Sequence, residues 1–197
     1  MGGGGTGNSD YNTVNINGGT FSKNIKIAGG GFSGNSHNNT VNINGGTFSD
    51  HTNIYGGSTT GGTVSGNTVN ITGGTFGAFT EIRGGNADNN TVTISGGSFH
   101  SFTTLFGGNN AGNNNTLNLK IKGLTVYSVD GFQNLNFYIP NTAQPNDTML
   151  TVYPTAVNLS NVTIKAGVQD GSTLKTGDTI TLIKAALRTS ISGYETI

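Results

Sequence analysis

The chain has 197 residues, 34 of them glycine, no cysteine, 9% charged residues and a formal net charge of zero. A nucleic-acid partner is not expected, because a polyanion demands clustered lysine and arginine and the stretch up to Asn115 offers only Lys23, Lys26 and Arg83 as cations. The lack of cysteine excludes a disulfide scaffold and thiolate metal sites, and no apolar run reaches the roughly 20 residues of a membrane-spanning helix, so no membrane insertion by this segment is expected.

One phrase recurs along the first two thirds: NTVNINGGTF from Asn12, the same from Asn39, NTVNITGGTF from Asn67, NTVTISGGSF from Asn90, and a decayed LNLKIKGLTV from Leu117. Aligned on Ile16, Ile43, Ile71, Ile94 and Ile121, the period is 27, 28, 23 and 27 residues, which is the range of solenoid repeats. Five residues on stand Phe21, Phe48, Phe76, Phe99 and Val126; six further on stand Ile27, Ile54, Ile82, Leu105 and Phe132. Constant spacing between these landmarks, with the length variation elsewhere, predicts identical backbone elements stacked in register. The segments alternate apolar and polar residues with period two, as in Thr13-Val14-Asn15-Ile16, and are rich in β-branched side chains, so they read as short strands. Glycine pairs such as Gly18-Gly19 and Gly29-Gly30 mark two corners per repeat, where positive φ or close backbone approach is expected. The predicted architecture is all-β: a right-handed parallel β-helix of about five triangular coils, with Val14, Ile16, Phe21 and Ile27 of each coil type pointing inward. No repeat could order itself alone, since each buries its apolar residues against its neighbours.

The repeats are assigned to residues 1–137. Glycine then thins out and Pro140, Pro145 and Pro154 enter, so 138–197 are expected to form a β-rich capping segment, either a small sandwich or irregular terminal coils. Gly4-Gly5 reads as the corner of a preceding coil, and the final ISGYETI has no evident stop, so the chain is expected either to be cut from a longer array or to belong to an array that begins unusually bare.

The N-T-V-x-I-x-G-G-T/S-F coils, followed by FYIPNTAQPNDTMLTV and by L-K-x-G-D-x-I-T-L-I-x-A from Leu174 to Ala185, resemble the passenger regions of bacterial autotransporter-type surface proteins. The resemblance covers nearly the whole chain. It implies a secreted passenger exposed at the bacterial cell surface or released from it, commonly an adhesin, whose parent would carry an outer-membrane barrel.

An enzyme is the reading to weigh against this, because right-handed β-helices also host polysaccharide lyases and hydrolases. Those reactions need paired carboxylates, or calcium with a basic residue, converging on one face. Asp10, Asp50, Glu81, Asp88 and Asp130 do not share a column in the alignment, so no catalytic residue is assigned. His37, His51 and His100 read as solvated surface residues. No cofactor or metal is expected, as neither an EF-hand loop nor a GGxGxD repeat occurs. The Asn-Asn-Thr strings at Asn38, Asn89 and Asn114 match glycosylation acceptors, a match that such composition generates by chance.

Two outward surfaces carry the functional expectations. Tyr55, Arg83 and Phe106, with Glu81 beside them, should fall on adjacent coils of one face and form a glycan- or protein-binding patch; the alternative is a ladder that only braces the coils. Thr13/Asn15, Thr40/Asn42, Thr68/Asn70 and Thr91/Thr93 should form a flat polar grid like that of ice-binding solenoids, with Asn118 and Lys120 breaking it in the fifth coil. The loop from Gly57 to Asn67 is the longest and the natural place for a receptor-specific insertion. The function expected is a non-enzymatic extracellular adhesin or passenger segment that binds a host glycan or surface protein, with an ice-binding face and end-to-end assembly into fibres as the alternatives.

Overall fold

A computed structural model describes residues 7–31, 33–58, 61–108, 113–155 and 157–185, and every regular element among them is a β-strand. The first coil holds β1 (Thr13–Ile16), β2 (Thr20–Phe21), β3 (Lys26–Ala28) and β4 (Ser36–His37). The second repeats this with β5 (Thr40–Ile43), β6 (Thr47–Phe48), β7 (Asn53–Tyr55) and β8 (Val64–Ser65). Three strands each make the third coil, β9 (Thr68–Ile71), β10 (Thr75–Phe76) and β11 (Glu81–Arg83), and the fourth, β12 (Thr91–Ile94), β13 (Ser98–Phe99) and β14 (Thr104–Phe106). The fifth has β15 (Thr116–Leu119), β16 (Leu124–Val126) and β17 (Ser128–Asp130).

These strands stack into parallel sheets that form the walls of a β-solenoid. The first wall is the seven-stranded sheet β1-β5-β9-β12-β15-β18-β20, where β18 is Asn134–Ile139 and β20 is Thr163–Val168. The second is β2-β6-β10-β13, continued by β16-β19-β21 with β19 at Thr148–Val152 and β21 at Thr181–Ala185; the third is β3-β7-β11-β14-β17. The inward residues are the expected ones. Val41, Ile43, Ile54, Val69, Ile71, Ile82, Val92 and Ile94 are fully buried. The rings of Phe21, Phe48, Phe76 and Phe99 stack face to face with centroids 4.7, 4.9 and 4.7 Å apart, the repeat distance of hydrogen-bonded strands.

The fifth coil departs from the expected alignment. Ile94 pairs with Leu119 rather than Ile121, and Leu105 with Val129 rather than Phe132. The first shift is two residues, and because strand side chains alternate with period two, a two-residue slip leaves every inward residue inward. Sequence periodicity therefore could not register it. The polar grid consequently continues with Thr116 and Asn118, and Lys120 lies beyond the strand.

The boundary set at 137/138 falls inside β18. β18 pairs with β15 on one side and β20 on the other, and β19 pairs with β16 and β21, all in parallel, so the described residues after 137 continue the stack as two further coils rather than a sandwich. The prolines sit in the connections, where no ladder donor is lost.

The two glycine series do different work. Gly19, Gly46, Gly74 and Gly97 have φ between 101° and 114°, which side chains rarely tolerate. In the other series the requirement is space: a Cβ on Gly56 would lie 2.5 Å from the carbonyl oxygen of Gly84 in the next coil.

One interior column was not read from the sequence. From the second coil on, the asparagine that opens the phrase, and Asn115 at the matching place in the fifth, is buried, and its Oδ1 receives the coil before it: the half-buried Asn12 donates its N–H to Asn39 (2.9 Å), Asn39 to Asn67 (2.9 Å), Asn67 to Asn90 (3.0 Å) and Asn90 to Asn115 (2.9 Å), after which Gln133 accepts from Asn115 (2.9 Å). These side chains close the turn into the first wall, where the chain has no continuous sheet to satisfy its amides. The residue before each is in the left-handed region, including Asn38, Asn89 and Asn114, with φ of 55°, 59° and 60°. The Asn-Asn-Thr strings are thus corner chemistry, one asparagine for the left-handed bend and the next for the ladder.

Candidate outer-face site

The third wall turns its outer side to solvent as a grid of three columns. Each strand begins at a tight corner. The Thr52 hydroxyl donates to the Ser49 carbonyl at 2.7 Å and the Thr80 hydroxyl to that of Gly77 at 2.8 Å, which tucks the threonine inside and throws the preceding residue outward. Those preceding residues are His51 and Phe79, both in the left-handed region with φ of 58° and 57°. In the fourth coil Thr103 N–H donates to the His100 carbonyl instead (2.9 Å), and Phe102 occupies the corner.

Alternation then carries outward positions along each strand: His51, Asn53, Tyr55; Phe79, Glu81, Arg83; Phe102, Thr104, Phe106. Within the corner column His51 stacks on Phe79 at 4.9 Å and Phe79 on Phe102 at 5.2 Å, and Phe102 meets Tyr127 edge-on at 6.2 Å. Phe79 remains 54% exposed and Phe102 40%. The column therefore presents apolar ring edges to water along four coils. This feature was missed at the sequence level. His51 was read as a solvated histidine, and Phe79 lacks a counterpart at the phenylalanine positions of the repeat phrase. Its signal was available: aromatic residues just before the T-x-I/L of successive coils, where an ordinary corner would take asparagine, as Asn24 does in the first coil.

The expected column is brought together as read. Tyr55 pairs with Arg83 and Arg83 with Phe106 in register. Lys26 Nζ lies 4.7 Å from the Tyr55 ring centre and donates to Ser58 Oγ at 2.7 Å; the Arg83 guanidinium lies 4.5 Å from the Phe106 ring, and its Nε donates to Glu81 Oε1 at 2.9 Å. Burial, with the Glu81 carboxylate next to it, pushes the Tyr55 phenol up to about 12, and burial lowers the Lys26 ammonium. Tyr55, Arg83 and Glu81 are only half-exposed, and with Lys26, Ser58 and Asn86 they line a shallow cleft of ≈ 350 Å³. This column braces adjacent coils through cation–π contacts while leaving ring and guanidinium edges at the surface. The central column, Asn53, Glu81 and Thr104, supplies hydrogen-bonding groups between the two aromatic ones.

The remaining polar residues are taken up locally. Asp50 Oδ1 accepts the Ala78 N–H at 3.0 Å, which, with Lys23 at 3.4 Å, holds its carboxyl below the usual carboxylate range. Asp10 accepts from His37 N–H and Asp88 from Asn113 N–H, both at 2.8 Å. On the first wall the asparagines of the polar grid bond to one another: Asn42 donates to Asn15 at 2.7 Å, Asn70 to Asn42 at 2.9 Å and Asn118 to Thr93 at 3.2 Å. The loop from Gly57 to Asn67, of which residues 59–60 lie outside the described set, is tied down by β8 pairing with β4.

Comparison with protein-family models, with curated proteins and with solved structures finds no match to this chain.

Proposed function

We propose that this chain is a non-enzymatic, extracellular stalk segment of an adhesin or autotransporter passenger, which binds a glycan or protein partner on the outer face of its third wall. The observation that carries the reading is the corner column. Phe79 stands more than half exposed in left-handed backbone, a conformation that costs an L-residue about 1–2 kcal/mol and that asparagine or glycine would adopt more cheaply. A solvent-exposed aromatic in that position is a disadvantage to the free rod, and its stacking with His51 and Phe102 on the two adjacent coils makes it part of an apolar ridge that a partner can cover. Aromatic columns flanking a polar one offer a pyranose or a protein surface apolar contact at both margins and hydrogen bonds between them.

Binding of the purified chain to arrayed glycans and to extracellular-matrix proteins tests this. Phe79→Asn combined with Phe102→Asn should reduce binding at least about tenfold without lowering the melting temperature, whereas a ligand-binding wild type matched by this variant would remove the outer face from consideration.

The threonine column favours a second reading. Thr13, Thr40, Thr68, Thr91 and Thr116 stand in register on five successive coils of a flat wall, an arrangement suited to ordering water into an ice-like lattice. The neighbouring column spends its amides internally, Asn42 on Asn15, Asn70 on Asn42 and Asn118 on Thr93, so the threonine column would carry that role, with its last hydroxyl, Thr116, already donating to the Asn114 carbonyl. Inhibition of ice recrystallisation by the purified protein distinguishes the two.

A further inference from the structure

The third wall stops one strand too soon. The first and second walls each run on past the fifth coil, but the described residues between β19 and β20 contribute no strand beyond β17. A cavity of ≈ 370 Å³ lies between the open edge of β17 and residues 157–162. Phe132, Leu135, Val157 and Leu159 make its apolar walls, and Asp130 and Asn158 stand at the polar margin.

The backbone that faces this cavity has unmet bonding capacity. In a parallel ladder, alternate residues bond to opposite sides. Gly107 N–H donates to the Asp130 carbonyl at 3.0 Å, so Ser128 and Asp130 face β14, and Val129 directs its N–H and C=O toward the cavity. Among the described residues neither group has a hydrogen-bond partner, although the Val129 residue is 95% buried, its exposure being 5%. The described residues between β19 and β20 meet this side of the wall just before β17, where the Tyr153 N–H donates to the Val126 carbonyl at 3.0 Å and the Thr155 hydroxyl to the Tyr127 carbonyl. An edge amide and carbonyl of a largely buried residue, aimed into a cavity of ligand size, are groups that an added strand would satisfy.

We propose that this slot binds an extended peptide segment of a partner protein, added in parallel to β17 as the missing rung of the third wall. An added strand is favoured over a small molecule because the unmet groups are a backbone N–H and C=O at ladder spacing, which a peptide satisfies in one register. The columns of the wall specify its sequence. The inward column reads Ile27, Ile54, Ile82, Leu105, Val129, so the central residue is a β-branched or γ-branched aliphatic, seated on Phe132 and Leu135. The outward column ends at Asp130, so the next residue is lysine or arginine; the one before follows Ser128 and is small and polar. The partner motif is therefore Ser/Thr, then Ile/Val/Leu, then Lys/Arg, spanning about 10 Å at 3.3 Å per residue. The slot lies on the open edge of the wall, so this site stands or fails independently of binding on the outer face.

The test uses the whole chain and the peptide acetyl-Gly-Thr-Ile-Lys-Gly-amide, titrated by amide NMR with hydrogen exchange. Saturation should slow exchange of the Val129 and Gly131 amides about tenfold or more, because both become ladder donors. Methylating the peptide's lysine amide removes the donor to the Val129 carbonyl and should weaken binding at least about tenfold, and Asp130→Asn should weaken the unmethylated peptide severalfold while leaving the fold intact. Equal binding of the methylated peptide would overturn strand addition in favour of side-chain packing alone. Failure of the peptide to shift either amide would overturn the proposal, as would a Val129 amide already protected in the free chain as strongly as that of Leu105, since the slot would then be filled by the chain's own residues.

Discussion

Two corners recur in left-handed backbone among the early coils, and the side chains found there separate structural economy from cost. Before the buried asparagine stand Tyr11, Asn38, Gly66, Asn89 and Asn114, with φ between 55° and 66°. Asparagine and glycine adopt this region readily, but a tyrosine does so at a cost of about 1–2 kcal/mol. Tyr11 is 78% exposed and its ring takes part in no stacking contact described for the chain, while its N–H donates to the His37 carbonyl in either case. Tyr11→Asn is therefore expected to stabilise the first coil by about 1 kcal/mol, read as a higher melting temperature and slower amide exchange in β1. A fall in either would show that the ring contributes contacts which outweigh the strain. At Phe79 the same backbone cost is met by stacking and, on the proposed reading, by a partner.

At the scale of single elements, two asparagine columns make the same amide-to-amide bonds in opposite surroundings. The inner one is fully buried. Asn67 Oδ1 accepts both the N–H and the Nδ2 of Asn39, at 2.9 and 3.0 Å, and its own Nδ2 donates to the Ser36 and Ser65 carbonyls at 2.9 and 3.0 Å. The outer one faces water, where Asn70 donates to Asn42. Removing a partner from a buried network leaves groups that water cannot reach, whereas an exposed pair simply rehydrates. Asn67→Ala should thus cost about 3 kcal/mol or more and Asn70→Ala about 0.5 kcal/mol, compared by chemical denaturation. Equal losses would mean that burial does not set the worth of these ladders. Alternation itself separates the two asparagines of N-T-V-N-I, since Asn67 shares the parity of the inward Val69 and Ile71 and Asn70 that of the outward Thr68.

Over the whole molecule, stability is close to a sum of coils and the contacts between neighbours, because each coil touches only the ones above and below. The inward isoleucine of the second, third and fourth coils is fully buried, whereas Ile16 in the first is half-buried and Ile164 in β20 is 41% exposed. Amide exchange should accordingly be slowest in β9 and β12 and quicken toward β1 and β20, with no single global rate. Uniform protection from end to end would indicate one cooperative unit and contradict the additive picture.

The sequence by itself determined the all-β class, the parallel stack, the identity of the inward columns and the co-location of Tyr55, Arg83 and Phe106. Each of these follows from alternation and spacing, which are local and repeat. Tertiary structure decided what those cues leave degenerate. The slip of Ile121 against Leu119 preserves the face of every residue, so only pairing across coils reveals it. That Phe79 keeps its strand's outward parity and Asn67 its strand's inward parity through a corner depends on corner dihedrals, and the open edge of β17 depends on a strand that the described residues of the following coil do not supply. The regular part of the repeat builds the rod, and both proposed binding features arise where a corner or a missing rung interrupts it.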